Sequence, residues 1–317
     1  MNAIAFMTAN YVARESGWAI GGWAGGDRDV NAIYAPLDTF AERFGGLLAD
    51  VRALGFDAID LWGAHLSPDW ATDEHVELAL GELDRHGLRV ATYAAWIGPA
   101  SVARACELTR ALGTTTVGGG CSGDPATFAP VLRAHGVTLA IENHSERTPQ
   151  EVLATIEAGG GTMAATVDTG WWATQGYDPV RAIEELGAHV AHVHLKDVLH
   201  EGEPHETCAW GDGLVDVEAC VAALRRLGYA GALTVEHEPK TTTRARRAAR
   251  CGSGSRAGCG EDRARRLRRD RRALRGVDRR RGAPGARRSD RRRARARGGA
   301  RDGPRRPRLR LARRAPR

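Results

Sequence analysis

No apolar run in this sequence approaches the ~18 residues that a membrane-spanning helix needs, which excludes a helical membrane protein. The opening MNAIAFMTANYVARE has neither a basic n-region nor a cleavable apolar stretch, which argues against a secretory leader. The six cysteines (Cys106, Cys121, Cys208, Cys220, Cys251, Cys259) form no CxxC pair and no dense framework. That spacing does not point to a disulfide scaffold, and a reduced, cytoplasmic protein fits best. No GxGxxG follows the first apolar segment, so the fingerprint of a dinucleotide-binding sheet is missing.

What is scarce also changes along the chain. From residue 241 onward there is no Lys, no aromatic residue and almost no Leu, Ile or Val. Residues 241–317 hold 31 Arg and 6 acidic residues, a formal +25. Residues 1–240 hold 15 basic and 33 acidic residues, a formal −18, and the two parts together give the overall +7. The basic pI of 9.4 thus belongs to the last quarter alone. It is no argument that the body binds nucleic acid, because an acidic body repels phosphate.

The body, 1–240, alternates short apolar segments with amphipathic ones. Strands are expected at 3–9, 58–62, 89–95, 114–120, 137–143, 163–168, 190–196 and 232–238. They are rich in Val, Ile, Thr and Ala and mostly apolar throughout, as in a parallel sheet covered on both faces. Between them lie seven helical patterns, among them 38–55, 73–87, 101–113 and 216–228, with apolar residues at 3/4 spacing and a terminal Gly. Asp124, Thr148, Asp178 and Asp216 stand where N-caps belong. Eight strands in 240 residues is the economy of a (β/α)8 TIM barrel, with a doubly wound sheet as the alternative.

The eighth helix is missing or replaced by the Arg-rich low-complexity tail, 241–317. One reading of that tail is a disordered basic arm for phosphates. The other is an out-of-frame translation of GC-rich coding sequence, which yields such an Arg/Ala/Gly/Pro chain and begins where the eighth helix should. A barrel lacking that helix exposes apolar surface that favours association.

In parallel barrels the chemistry sits at the C-terminal strand ends. Strand five ends in Glu142 (AIENH), strand six in Asp168 (TVDTGWW), strand seven in His194 (HVHLKD) and strand eight in Glu236 (TVEHEP). Alone, each such carboxylate reads as a helix cap or surface charge, and the His as a packed core residue. Four on successive strands point instead to one cation, because buried carboxylates need one. Three carboxylates and one imidazole suit Mn²⁺, Mg²⁺ or Co²⁺ rather than a thiolate-loving metal.

With IENH, VDTGWW, HVHLKD and TVEHEP, residues 1–240 resemble the sugar phosphate isomerase/epimerase family, whose fold is the xylose-isomerase-like TIM barrel. The resemblance implies one divalent metal ion, most often manganese with Zn²⁺ a further option, held by Glu142, Asp168, His194 and Glu236. It also implies that Glu142 and Glu236 pass a proton through an enediolate of a sugar or keto-polyol as base and acid. The implied partner is thus a small-molecule sugar or polyol; a homo-oligomer is compatible, a membrane is not. Some relatives carry His three residues after the strand-six Asp, where this chain has Trp171, so an aromatic wall replaces a hydrogen-bonding group.

His144, His65, Trp96, Trp171 and Lys196 are further candidates for lining the substrate site. His144 has a structural alternative, and His192 reads equally as site or core. Either Lys196 binds a substrate oxygen or Asp197 orients His194 from behind. WGDG (210–213) is a weak glycine motif that would approach substrate through its backbone. Three rivals remain. A keto-polyol (inosose-type) dehydratase needs the same metal and bases, and a degenerate barrel would serve only to bind. An endonuclease-IV-like repair enzyme needs three zinc ions and more His and Asp ligands than this chain offers, so a nucleic-acid partner is not expected.

Overall fold

The computed structural model describes residues 2–15, 17, 20, 22–238, 268 and 270. Eight parallel strands close into a barrel: β1 (Ile4–Met7), β2 (Ala58–Trp62), β3 (Arg89–Ile97), β4 (Thr116–Cys121), β5 (Thr138–Glu142), β6 (Met163–Asp168), β7 (Val190–Leu195) and β8 (Leu233–Val235). They pair in chain order, and β8 closes on β1 through Ile4 with Leu233 and Phe6 with Val235. The eight expected strands all form, each within three residues of its expected ends.

Helices follow the strands for the reasons the sequence suggests. In Leu37–Ala53 the residues Phe40, Phe44, Leu47, Leu48 and Val51 recur at helical spacing and are all buried. Thr72 caps Asp73–His86 in a reciprocal arrangement with His75, and Gly87 ends that helix in the left-handed region that a side chain disfavours. Asp124, Asp178 and Asp216 each accept a backbone N–H as caps. Thr148 stands at its cap position, but its hydroxyl donates to the Glu151 carboxylate instead.

Two features depart from expectation. A helix, Trp23–Tyr34, precedes Leu37–Ala53 in the first β-to-β connection. After β7 the chain forms a small antiparallel pair, Asp197–Val198 with Thr207–Cys208, too short to announce itself by alternation. The junction with the tail and most of the tail, 239–267 onward, lie outside the described residues, and with them the expected loss of the eighth helix. Arg268 and Asp270 are described; both are helical and Asp270 is buried.

The register sets the site. Asp168 lies beside His194, Glu142 beside Thr166, and His194 beside Thr234. Residues two apart on a strand share a face, so His192 and His194 both point to the barrel axis. Glu236 directly follows β8, its N–H bonded to the Leu195 carbonyl.

Candidate metal centre

Glu142, Asp168, His194 and Glu236 converge at the C-terminal mouth of the barrel. One ligand atom from each lies within 4.8 Å of all the others, and all four side chains are buried. His194 Nδ1 is 2.6 Å from Glu142 Oε1 and 3.2 Å from Glu236 Oε2. Asp168 divides its labour: Oδ1 accepts the Gly170 and Trp171 N–H groups as the cap of helix Thr169–Thr174. Its Oδ2 is turned to the cluster and, like Glu236 Oε2, is buried there.

Lys196 is the cluster's resident cation. Its ammonium lies 2.8 Å from Asp168 Oδ2, 3.2 Å from Glu236 Oε2 and 2.8 Å from Glu238. Gly170 makes room for it, since a Cβ there would meet Lys196 Cδ and Cγ at 2.8 Å. Burial works against the Lys196 charge, but Asp168, Glu236 and Glu238 hold its pKa well above the usual lysine value. The two glutamates part company. Burial would raise Glu142, yet His194 and His144 pull it well below the usual carboxylate range. Glu236, raised by burial and by Glu238, is held well above it. Burial opposes the His194 imidazolium, and Glu142 and Glu236 outweigh that to raise it.

A row of rings borders the mouth. Trp96, 59% exposed, lies 6.2 Å from the His144 ring; His144 lies 5.4 Å from Trp171. Trp171 in turn stacks on His205 at 4.0 Å and 9°. His144 also stands beside Glu142, with Nε2 3.8 Å from Oε2. His205 sits in the loop between the two short strands and carried no sequence signal.

His65 is fully buried, with Nδ1 3.3 Å from Thr8 Oγ1 and its ring edge-on to Tyr34. One expectation is corrected by packing. Asp197 does not reach His194. Its carboxylate accepts N–H bonds from Val198, Gly211, Gly213 and Val215 and folds the WGDG loop around itself. Gly213 is required there, since a Cβ would run into the Val198 carbonyl and the Asp197 carboxylate. The backbone of WGDG is thus aimed at Asp197. The carboxylate that reaches His194 at Nε2, on the side away from Glu142 and Glu236, is Asp60, in the middle of β2 and absent from the sequence candidates.

The buried His65 carries a pH consequence. Burial, aided by Arg14, pulls its imidazolium down to about 3, below the ordinary 6.5. The unfolded chain therefore binds more protons between those values, and stability falls as pH drops from about 6.5 toward 3. The full loss is on the order of 5 kcal/mol. Urea titrations from pH 7 to 4 should show His65→Gln with a flatter decline than the wild type; parallel curves would remove His65 as a cause.

The sequence matches the family model described as a xylose isomerase-like TIM barrel over residues 48–253. No curated protein matches it significantly. Among solved structures, an L-ribulose 3-epimerase superposes with a TM-score of 0.58 at 20% identity, over 92% of this chain and 100% of that one. A xylose isomerase-like TIM barrel protein from Mycobacterium smegmatis, in complex with magnesium, gives 0.59 at 17% identity, over 87% and 96%. A probable 3-DHS dehydratase from Bacillus anthracis gives 0.57 at 12% identity, over 86% and 98%. At these identities the structural likeness establishes the shared barrel. Among the described residues no helix is long and apolar enough to cross a membrane.

Proposed function

Because the chain belongs to the xylose isomerase-like TIM barrel family, we propose that it is a divalent-metal-dependent isomerase or epimerase of a sugar or keto-polyol. The observation that carries this reading is the convergence of three buried carboxylates and one imidazole, their ligand atoms within 4.8 Å, at the catalytic end of the barrel. The donor set fits a hard divalent cation, Mn²⁺ above all, with Mg²⁺ or Co²⁺ as substitutes. Two of its oxygens, Asp168 Oδ2 and Glu236 Oε2, are buried and turned to the cluster, where Lys196 and, for Glu236, His194 are their partners. Glu142, Asp168, His194 and Glu236 would hold the ion.

Bound there, such an ion supplies Lewis-acid polarisation of a substrate carbonyl and its neighbouring hydroxyl, which acidifies the C–H between them. The chain's own groups do the proton work. Glu142 takes the proton from carbon as base, and Glu236 returns one to the opposite side as acid, each acting through the oxygen it does not give to the ion. Trp96 and Trp171 offer apolar faces to the C–H side of a sugar, and His144 is placed to hydrogen-bond a hydroxyl near Glu142.

The reading is tested with the Mn²⁺-supplemented full chain in D2O and a panel of ketoses, L-ribulose among them, and inososes. Deuterium at a carbon next to the carbonyl without loss of water is the expected result. An enone product would move the assignment to a dehydratase, and no exchange with any substrate would refute both.

A further inference from the structure

Barrel interiors are usually filled by layers of branched apolar side chains. Directly beneath the four-residue cluster this barrel holds a polar layer instead. Asp60 on β2 is fully buried, and its Oδ2 lies 2.5 Å from His192 Nε2 and 3.0 Å from His194 Nε2. The two imidazoles stand edge to face at 4.9 Å and 89°. On its far side His192 Nδ1 is 3.1 Å from Thr92 Oγ1, and Thr92 is the register partner of Asp60 on the next strand.

A carboxylate oxygen only accepts, so both Nε2 atoms must carry the proton. That assigns the remaining nitrogens. His192 Nδ1 takes the Thr92 hydroxyl proton. His194 Nδ1 is left pointing between Glu142 and Glu236, where acceptors face it and a cation belongs. We propose that Asp60 is the positioning residue of the metal centre: it locks His194 with its proton on Nε2, so that Nδ1 is the ligating nitrogen, and His192 with Thr92 fixes Asp60 in turn. The inference rests on the metal reading given above and deepens it.

A hydrogen-bonded carboxylate behind a ligating imidazole typically accounts for 10–100-fold in metal affinity. Mn²⁺ binding to the full chain, measured by calorimetry, should therefore weaken about 10–100-fold in Asp60→Asn, and Glu142→Gln serves as the ligand control. Side-chain ¹⁵N spectra of the wild-type chain supply a readout that needs no variant. They should show Nε2–H on both His192 and His194, and should keep it when Mg²⁺ is added. Equal Mn²⁺ affinity in wild type and Asp60→Asn, with Glu142→Gln impaired, overturns the inference and leaves the metal reading standing. So does a His194 without a proton on Nε2. A wild-type chain that binds no Mn²⁺ overturns the metal reading, and the positioning role with it.

Discussion

Replacing Lys196 by Met is expected to lower the thermal midpoint of the metal-free protein by on the order of 10 °C, and added Mn²⁺ is expected to return most of that loss. Lys196 is buried among Asp168, Glu236 and Glu238 and is the lysine that offsets their charge. Removing one member of a buried ion cluster costs about 3–5 kcal/mol, because the others are left uncompensated. For a domain of this size that corresponds to roughly 2–4 °C per kcal/mol. A cation bound only by the folded chain restores stability by mass action, about 2.7 kcal/mol at a hundred times its dissociation constant. The gain on adding Mn²⁺ should be larger in Lys196→Met than in the wild type, since the cation then replaces the charge that Lys196 supplied. Differential scanning fluorimetry with and without Mn²⁺ measures both effects. Identical midpoints in the two metal-free proteins would mean that the carboxylates do not depend on Lys196.

Exchange of substrate C–H with solvent should fall by roughly 10²–10⁴-fold in Glu142→Gln and in Glu236→Gln, the usual share of a general acid or base. Ligation and proton transfer can be separated. Asp168→Asn keeps the Oδ1 cap of helix Thr169–Thr174 and alters the oxygen turned to the cluster. Asp168 carries no proton in the proposed reaction, so this variant should recover turnover as Mn²⁺ is raised. Glu142→Gln should not recover, because metal cannot replace its base. Recovery of all three variants at high Mn²⁺ would reduce the two glutamates to ligands alone.

Much of this was legible in the chain because each feature is local. Apolar segments of β-branched residues, spaced about 30 apart, become barrel strands. A polar residue at the end of such a segment falls at the mouth whatever the neighbouring loops do, so Glu142, Asp168, His194 and Glu236 could be named from strand ends. Asp60 could not be understood that way. A charged residue inside AIDLW is visible as an anomaly in a strand buried on both faces. Its meaning depends on His192, 132 residues away across the barrel axis. Asp197 shows the opposite error, since adjacency to His194 suggested contact. Along a strand successive side chains point to opposite faces, and its carboxylate instead gathers the N–H groups of a loop. His65 was nameable because it follows β2, while its contacts with Thr8 and Tyr34, set by the 3-10 turn Gly63–His65, were not. Lys196 was nameable and its role was not, because the three carboxylates around it come from two other strand ends.

The most direct test of the metal centre is elemental analysis of the purified full chain beside its Glu142→Gln/Glu236→Gln double variant, both dialysed against the same trace-metal buffer. About one divalent ion per wild-type chain, and close to none in the variant, is the expected result for a site of these four ligands. Equal metal content in the two proteins would contradict it.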